Sequence, residues 1–399
     1  MVCHEYEIAK GDEVMTGHIR KRGQNWSIVV ELPRGVDGKR RQRWVSIRGS
    51  KKDAEKELRK LLHAMDEGTF VEPGKITVAE FLERWLKHAT DKVAPKTHER
   101  YSEIARKNLI PAFGSTPLAK LQPLQIEEFY TEALRTGRKD GRGGLSPQTV
   151  VHFHRVLRAA LNQAMKWCLV ARNVADAVEP PKVERSEMQA LDEAETARLI
   201  GAAEGTRMYA PIMFDVSTGV RRGEMLALRW SDLDLANASV CIQRSLEQTR
   251  AGLRFKETKK GKGRTLSLPD ITVEVLRMHK AKQDQLRELF GDGYNPENLV
   301  FCRDDGNIWK PESFTDEYFH WTRKVKVKVR FHDLRHSHAT HLLQLGVNPK
   351  VVAERLGHSS VGITLDRYSH VLKGMQEEAA QKIDSLLRTA LENEKRLPI

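Results

Sequence analysis

The 399 residues carry 67 Lys and Arg against 54 Asp and Glu, a formal charge of +13, with 40% hydrophobic residues. This length suggests two or three domains, and the basic balance puts an anionic polymer first among partners. Four cysteines (Cys3, Cys168, Cys241, Cys302) with no CxxC pair argue against a disulfide framework or a cysteine-based zinc site, and suit a reducing compartment.

The N-terminal segment concentrates the charge. Residues 17–52 hold eleven Lys and Arg against two acids, Glu31 and Asp37. Within it, WSIVVEL (26–32) and RWVSI (43–47) read as strands joined by the turn PRGVDGKR, and GHIRKRG supplies a third. SKKDAEKELRKLLHAM opens with a Ser cap and sets Ala54, Leu58, Leu61, Leu62 and Met65 on one helical face. A small sheet backed by a helix leaves its other, basic face free.

GTFVEPGK (68–75) reads as a linker, and from Thr77 four helical patterns follow as far as residue 175. The last opens with Ser146 as cap and Pro147 at its first position. EPPKVERSEMQ (179–189) is a second linker, because Pro180 and Pro181 bar a continuous helix. LDEAETARLI then begins with a capping box, Asp192 and Glu195. The remainder is mostly helical, interrupted by SVCIQRS, a turn and GRTLSLP as a strand region. The expected fold is therefore multidomain and mainly α: a basic β-sheet-plus-helix domain, an all-α domain, and a mostly helical domain with a small antiparallel sheet. No run approaches the roughly 18 apolar residues of a membrane span. The opening MVCHEYEIAKGDEV lacks the apolar core of a signal peptide, so the chain reads as intracellular with no membrane partner.

One stretch is chemically dense. Residues 330–371, RFHDLRHSHATHLLQLGVNPKVVAERLGHSSVGITLDRYSHV, hold six histidines, four arginines and one tyrosine. His332 with His336, and His338 with His341, have helical spacing for a metal, yet no HExxH occurs and no cysteine lies nearby to complete a site. The same residues suit a phosphate better. His332 and Arg335 stand one helical turn apart, where a guanidinium fork can contact two oxygens while the imidazole hydrogen-bonds or exchanges a proton. His358 follows Gly357, where a helix should end, and Tyr368 comes ten residues later. Upstream, in STGVRRGEMLALRW, Arg221 and Arg222 follow a Thr-Gly turn at a helix start, and Glu224 lies one turn after Arg221, able to orient it. The helix is expected to continue apolar through Met225, Leu226 and Leu228.

Taken in order, TGVRRGE, a lysine in a β-turn, HDLRH, LGHSS and LDRYSHV resemble the tyrosine recombinase (phage integrase) family. The resemblance extends over the chain, implying an arm-type DNA-binding domain at 1–70, a helical core-binding (SAM-like) domain at 76–178 and a catalytic domain at 186–399. It implies Arg221, His332, Arg335 and His358 as catalytic groups, and Tyr368 as the nucleophile. The family's lysine falls among Lys256, Lys259, Lys260 and Lys262; Lys259 is chosen, five residues before Arg264, although Glu257-Thr258-Lys259 stands where many relatives have Pro-Lys-Thr. Arg20, Lys21, Arg22, Arg40, Arg41 and Arg43 are the candidate arm-site contacts.

The activity so implied is site-specific recombination that integrates or excises a phage or other mobile element. Tyr368 attacks a DNA phosphodiester to give a 3′-phosphotyrosyl bond and release a 5′-hydroxyl. Arg221 and Arg335 neutralise the nonbridging oxygens, His332 handles the tyrosine proton, His358 hydrogen-bonds the phosphate and Lys259 protonates the leaving oxygen. The bond energy is retained, so neither ATP nor a metal nor another cofactor is expected, and no GxxxxGK[ST] loop occurs. Expected partners are double-stranded DNA at core and arm sites and three further copies in a homotetramer on synapsed DNA. A host DNA-bending protein and an excision directionality factor are candidate accessories, in a bacterial cytoplasm at the nucleoid. Two rivals from other classes are a metal-dependent transposase, drawing acids from SDLDL and RDDG, and a DNA-binding regulator without catalysis. A type IB topoisomerase shares the chemistry but not the arm-like domain.

Overall fold

Period-two alternation in the basic segment produces a sheet with two unlike faces. The strands β1 (His4–Ile8), β2 (Met15–Arg22), β3 (Asn25–Leu32) and β4 (Arg41–Arg48) form an antiparallel sheet in the order β1-β2-β3-β4, one strand more than the sequence suggested. The computed structural model describes residues 4–8, 15–32, 41–66, 76–138, 140–184, 190–257, 263–368 and 375–394. One sheet face, carrying Ile19, Ile28 and Val30, packs against Ala54, Leu58, Leu62 and Met65 of α1 (Lys51–Asp66). A Cβ added at Gly17 would lie 2.7 Å from Leu58, so glycine there lets helix and sheet close up. The Ser50 cap forms as expected: the Asp53 amide donates to Ser50 Oγ, and the Ser50 amide donates to Asp53.

A second core gathers five α-helices: α2 (Val78–Ala89), α3 (Pro95–Ile104), α4 (Ile110–Phe113), α5 (Pro123–Thr136) and α6 (Pro147–Lys166). A π-helical turn, Ala105–Leu109, joins α3 to α4, so what reads as one helix carries a local bulge. Ser146 caps α6 through the Thr149 amide, with Pro147 in its first turn. Both cores belong to one compact unit, Met1–Glu184, and Arg185–Ile399 forms the other.

The second unit starts at α7 (Glu193–Ala203), with the Asp192–Glu195 capping box in place. Then come α8 (Tyr209–Thr218), α9 (Arg222–Met225) and β5 (Leu233–Asp234). Next are β6 (Ser239–Ile242), β7 (Arg244–Thr249), β8 (Gly252–Glu257) and β9 (Arg264–Ser267). The strands make a three-stranded sheet, β5-β6-β9, and a separate β7-β8 hairpin. The helices α10 (Asp270–Phe290), α11 (Pro311–Lys324), α12 (Phe331–Gln344), α13 (Pro349–Leu356) and α14 (Val361–Tyr368) follow. The last helix, α15 (Met375–Glu394), exposes Ile383, Leu386, Leu387 and Leu391.

One expectation fails here. The helix after Arg221 is a single turn, so Leu226 and Leu228 lie beyond it. Met225, Leu226, Ala227 and Leu228 are all buried, leaving no polar side for an amphipathic helix to turn outward. No described helix is long and apolar enough to cross a membrane.

Candidate active site

Four helix ends and one strand start converge in the second unit. Gly219 closes α8 with φ 61°, the left-handed value that releases the chain toward Arg221. A Cβ there would fall 2.7 Å from His338 and 2.8 Å from Leu356, so only glycine fits. Arg221 then caps α9: its amide donates to Glu224 Oε2 at 3.0 Å and its guanidinium to Glu224 Oε1 at 2.8 Å. Its other terminal nitrogen reaches the Gly357 carbonyl at 3.1 Å. Glu224 thus accepts from both the backbone amide and the guanidinium of Arg221.

Glu224 serves a second cation. Arg264, at the start of β9, donates to Glu224 Oε2 at 2.6 Å and to the Arg355 carbonyl at 2.8 Å. Burial alone would push the Glu224 carboxyl up; Arg264 and Arg221 outweigh it and hold the group below the usual carboxylate range. Arg264 was noticed in the sequence only as the opening of a strand. Its link to Glu224 spans 40 positions, which no local pattern encodes.

Arg335 lies on α12, one turn after His332. It is 3% exposed and gives its two terminal nitrogens to the Gly219 and Leu356 carbonyls, at 2.6 and 2.7 Å. These bonds tie the end of α8 to the end of α13. Among the described residues no carboxylate pairs with it. Asp215, buried with neither oxygen hydrogen-bonded, is pushed well above the usual carboxylate value by burial, against the opposing pull of Arg335. Burial, with Arg221 and Arg264 nearby, brings Arg335 itself down to about 10, still a full cation at neutral pH.

His358 follows Gly357, whose φ of 65° ends α13, and its Nδ1 lies 2.8 Å from the Thr364 hydroxyl on α14. His332 is exposed, and its ring stands edge-to-face with His336 at 5.1 Å. Tyr368, the last residue of α14, is 2% exposed among Ala339, Leu343, Val352 and Leu356. Its hydroxyl lies 2.7 Å from Nδ1 of His336, the histidine that the sequence offered only as half of a metal pair. Five of the six expected catalytic residues, Arg221, His332, Arg335, His358 and Tyr368, therefore belong to one cluster of elements. The sixth, Lys259, lies outside the described residues, as do Lys260 and Lys262. Lys256 is on β8 and is ion-paired with Glu247 at 2.8 Å.

The remaining histidines of α12 are engaged elsewhere: Nδ1 of His338 with the Val216 carbonyl, Nε2 of His341 with the Leu191 carbonyl. Among the described residues no group of three or more His, Cys, Asp or Glu could hold a metal ion. Burial first, then Arg355 and Arg335, hold His338 down at about 4. Its folded pKa is below the ordinary value of about 6.5. The unfolded chain therefore takes the proton first, and stability falls as pH drops through 6.5 toward 4. At pH 5 the penalty is on the order of 2 kcal/mol for His338 alone. His336 and His358, each also near 4, act in the same direction. Urea denaturation of the full chain should give a clearly lower midpoint at pH 5 than at pH 7; equal midpoints would refute the assignment.

On the N-terminal sheet, cross-strand pairing places His18, Arg20 and Arg22 of β2 on the same face as Trp44 and Arg48 of β4, away from α1. Arg22 lies over the Trp44 ring at 5.3 Å, and Trp44 is 47% exposed. Of the expected contacts, Arg20 and Arg22 share this open face, whereas Lys21 and Arg43 alternate to the other one. Arg40 and the Arg41 side chain lie outside the described residues. Trp44 and Arg48 were not singled out in the sequence.

Comparison with known proteins agrees with this architecture. Residues 189–375 match the phage integrase family, and residues 77–134 match the N-terminal SAM-like domain of phage integrases. An integrase from Saccharopolyspora erythraea is 27% identical over 421 residues, covering 90% of this chain and 94% of that protein. The Tn1549 transposon integrase in complex with a circular intermediate DNA superposes with a TM-score of 0.65 at 20% identity, over 77% of this chain and 99% of that one. A lambda integrase tetramer bound to a Holliday junction gives 0.54 at 16% identity, over 86% and 95%. Matching the catalytic and SAM-like segments in the family's order, the chain belongs to the phage integrase family of tyrosine recombinases.

Proposed function

We propose that this site-specific recombinase cuts and rejoins DNA through a 3′-phosphotyrosyl intermediate on Tyr368, integrating or excising a phage or other mobile element. One observation carries the reading: a buried arginine without a carboxylate partner among the described residues, Arg335, stands in one cluster with the half-exposed Arg221 and with Tyr368. A buried cation left unpaired in the free protein wants an anion, and two guanidinium forks suit the nonbridging oxygens of a phosphodiester. They would bear the charge that builds up in the transition state, a role metal ions fill elsewhere, so cleavage is proposed to need neither metal nor ATP.

The chain is proposed to act on double-stranded DNA, as a catalytic domain (186–399) and a core-binding domain (76–178) at a core site, with an arm-binding domain (1–70). The open sheet face with Arg20, Arg22, Arg48 and Trp44 suits a major groove, which admits a β-ribbon. A homotetramer on synapsed DNA is the proposed assembly, by analogy with the lambda tetramer, and the apolar side of α15 offers a surface to a second copy. The proposed setting is a bacterial cytoplasm, with a host DNA-bending protein and a directionality factor as accessory partners.

The deciding experiment uses a nicked duplex bearing the core sequence at the element's boundary, so that the cut strand diffuses away and traps the intermediate. In EDTA the wild-type chain should form a covalent adduct whose peptide maps to Tyr368. A strict requirement for Mg²⁺ would favour the transposase reading, and binding without any adduct the regulator.

Lys259 has its own test. If it protonates the departing 5′ oxygen, replacing that oxygen by sulfur gives a leaving group that needs no proton. Lys259→Ala should then be at least about a hundredfold slow on ordinary DNA and near wild type on the sulfur-bridged duplex. Rescue of Lys260→Ala or Lys262→Ala instead would move the acid along the turn.

A further inference from the structure

Arg221 is held at two points, and a second arginine braces both of them. We propose that Arg264 is a positioning residue for strand cleavage, fixing the two supports from which Arg221 reaches the scissile phosphate. The inference rests on the reading that Tyr368 cleaves a phosphodiester whose charge Arg221 helps to bear.

The two guanidiniums bridge the same pair of elements. Arg221 bonds Glu224 Oε1 at 2.8 Å and the Gly357 carbonyl at 3.1 Å. Arg264 bonds Glu224 Oε2 at 2.6 Å and the Arg355 carbonyl at 2.8 Å. Between them Arg335 takes the Leu356 carbonyl, so three successive carbonyls at the end of α13 accept from three different arginines. Exposure separates the roles. The Arg264 side chain is 17% exposed and that of Arg221 46%, which makes Arg264 the inner brace and Arg221 the outer fork. Nε and one terminal nitrogen of Arg264 are committed to Arg355 and Glu224. The other terminal nitrogen lies 2.9 Å from where a Cβ at Gly357 would sit. A guanidinium so committed bears on the phosphate through its neighbours.

What Arg264 supplies follows from what would remain without it. Glu224 is buried, and a buried carboxylate stays ionised only while cations offset its lost hydration. The groups that bear on it are Arg221 from its own turn, Arg264 from β9, Arg335 from α12 and Asp215 from α8. Arg264 is the strongest of those that hold the charge. Without it the carboxyl rises toward neutrality and grips the Arg221 guanidinium less firmly, while the Arg355 carbonyl loses its arginine. The Arg221 fork would then have to hold its own supports together. A misplacement of about 1 Å in a group that stabilises the transition state is enough to cost roughly a hundredfold in rate.

The test follows single-turnover adduct formation on the nicked duplex between pH 6 and 8, with DNA affinity and melting temperature measured alongside. Arg264→Met should be about tenfold slower than the wild type at pH 8 and about a hundredfold slower at pH 6. The deficit widens with acid because Glu224, its value raised, takes a proton as pH falls. DNA affinity should stay within about threefold, since the loss falls on the transition state. Arg264→Lys keeps a cation beside Glu224 but cannot span both acceptors in one plane. Its deficit should be smaller and the same at every pH, and it carries the test if the methionine variant does not fold. Arg355→Met is the control for loosening α13. The Arg355 side chain donates to the Ser217 and Ser267 carbonyls and, among the described residues, has no bond to Glu224 or Arg221. Any deficit it shows should not change with pH. Wild-type rates for both Arg264 variants, or a deficit in Arg264→Met that ignores pH, would overturn the proposal. So would a widening deficit in Arg355→Met, or a loss of DNA affinity matching the loss of rate, which would make Arg264 a phosphate contact itself. No adduct from the wild-type chain would remove the cleavage reading, and this inference with it.

Discussion

Tyr368→Phe is expected to bind core-site DNA as the wild type does and to form no covalent adduct, a loss to background at any DNA concentration. The change removes a single oxygen. The Phe ring still fills the space among Ala339, Leu343, Val352 and Leu356, so the packing that holds α14 against α12 and α13 is retained. Among the described residues the only bond lost is the one to His336, worth about 1 kcal/mol. The proposed phosphate contacts, Arg221 and Arg335, are untouched, so affinity and its salt dependence should not move. Gel-shift titration and denaturing electrophoresis on the nicked duplex measure the two properties separately. An adduct formed by the Phe variant would place the nucleophile elsewhere; lost binding would show that the hydroxyl shapes the site rather than attacking.

What the sequence conveyed and what it withheld divide along a physical line. Local signals translated directly: Ser146 with Pro147 starts α6, Asp192 with Glu195 starts α7, and Gly357 ends α13 just before His358. Each is a backbone-capping or φ requirement satisfied within four residues. The i, i+3 spacing of His332 and Arg335 likewise survived, because one helix carries both. Contacts that close through space did not show. Tyr368 and His336 are 32 positions apart, and nothing in HDLRHSHAT distinguishes the histidine that meets the tyrosine from those that brace carbonyls. Arg264 joined the Glu224 cluster unannounced for the same reason. The apolar run after Arg221 misled in another way: periodicity marks a helix only when one side faces water, and MLAL is buried all round. Alternation in the N-terminal strands was legible, but lumping consecutive basic residues together hid that Arg20 and Lys21 must point to opposite faces.

Arg335→Lys should lose adduct formation by about a hundredfold to a thousandfold, the range seen when one preorganised donor to a developing anion is removed. Charge is retained in this variant, so the loss isolates geometry. Arg335 spreads one planar fork between the Gly219 and Leu356 carbonyls, which fixes the plane in which its remaining N–H groups can meet a phosphate. A lysine ammonium is a point charge on a flexible stem and cannot hold that plane while bridging both carbonyls. The same substitution should cost about 1–3 kcal/mol of stability, since a buried carbonyl at the end of α8 or of α13 is left without its donor. Kinetics and stability thus fall together here, unlike in Tyr368→Phe. Arg221→Lys provides the contrast. Its guanidinium is half exposed and held by Glu224, so the lysine variant should lose cleavage while urea denaturation stays close to wild type. If Arg335→Lys cleaved normally, the buried fork would be a strut between two helix ends, and phosphate recognition would have to rest on Arg221 and His358 instead.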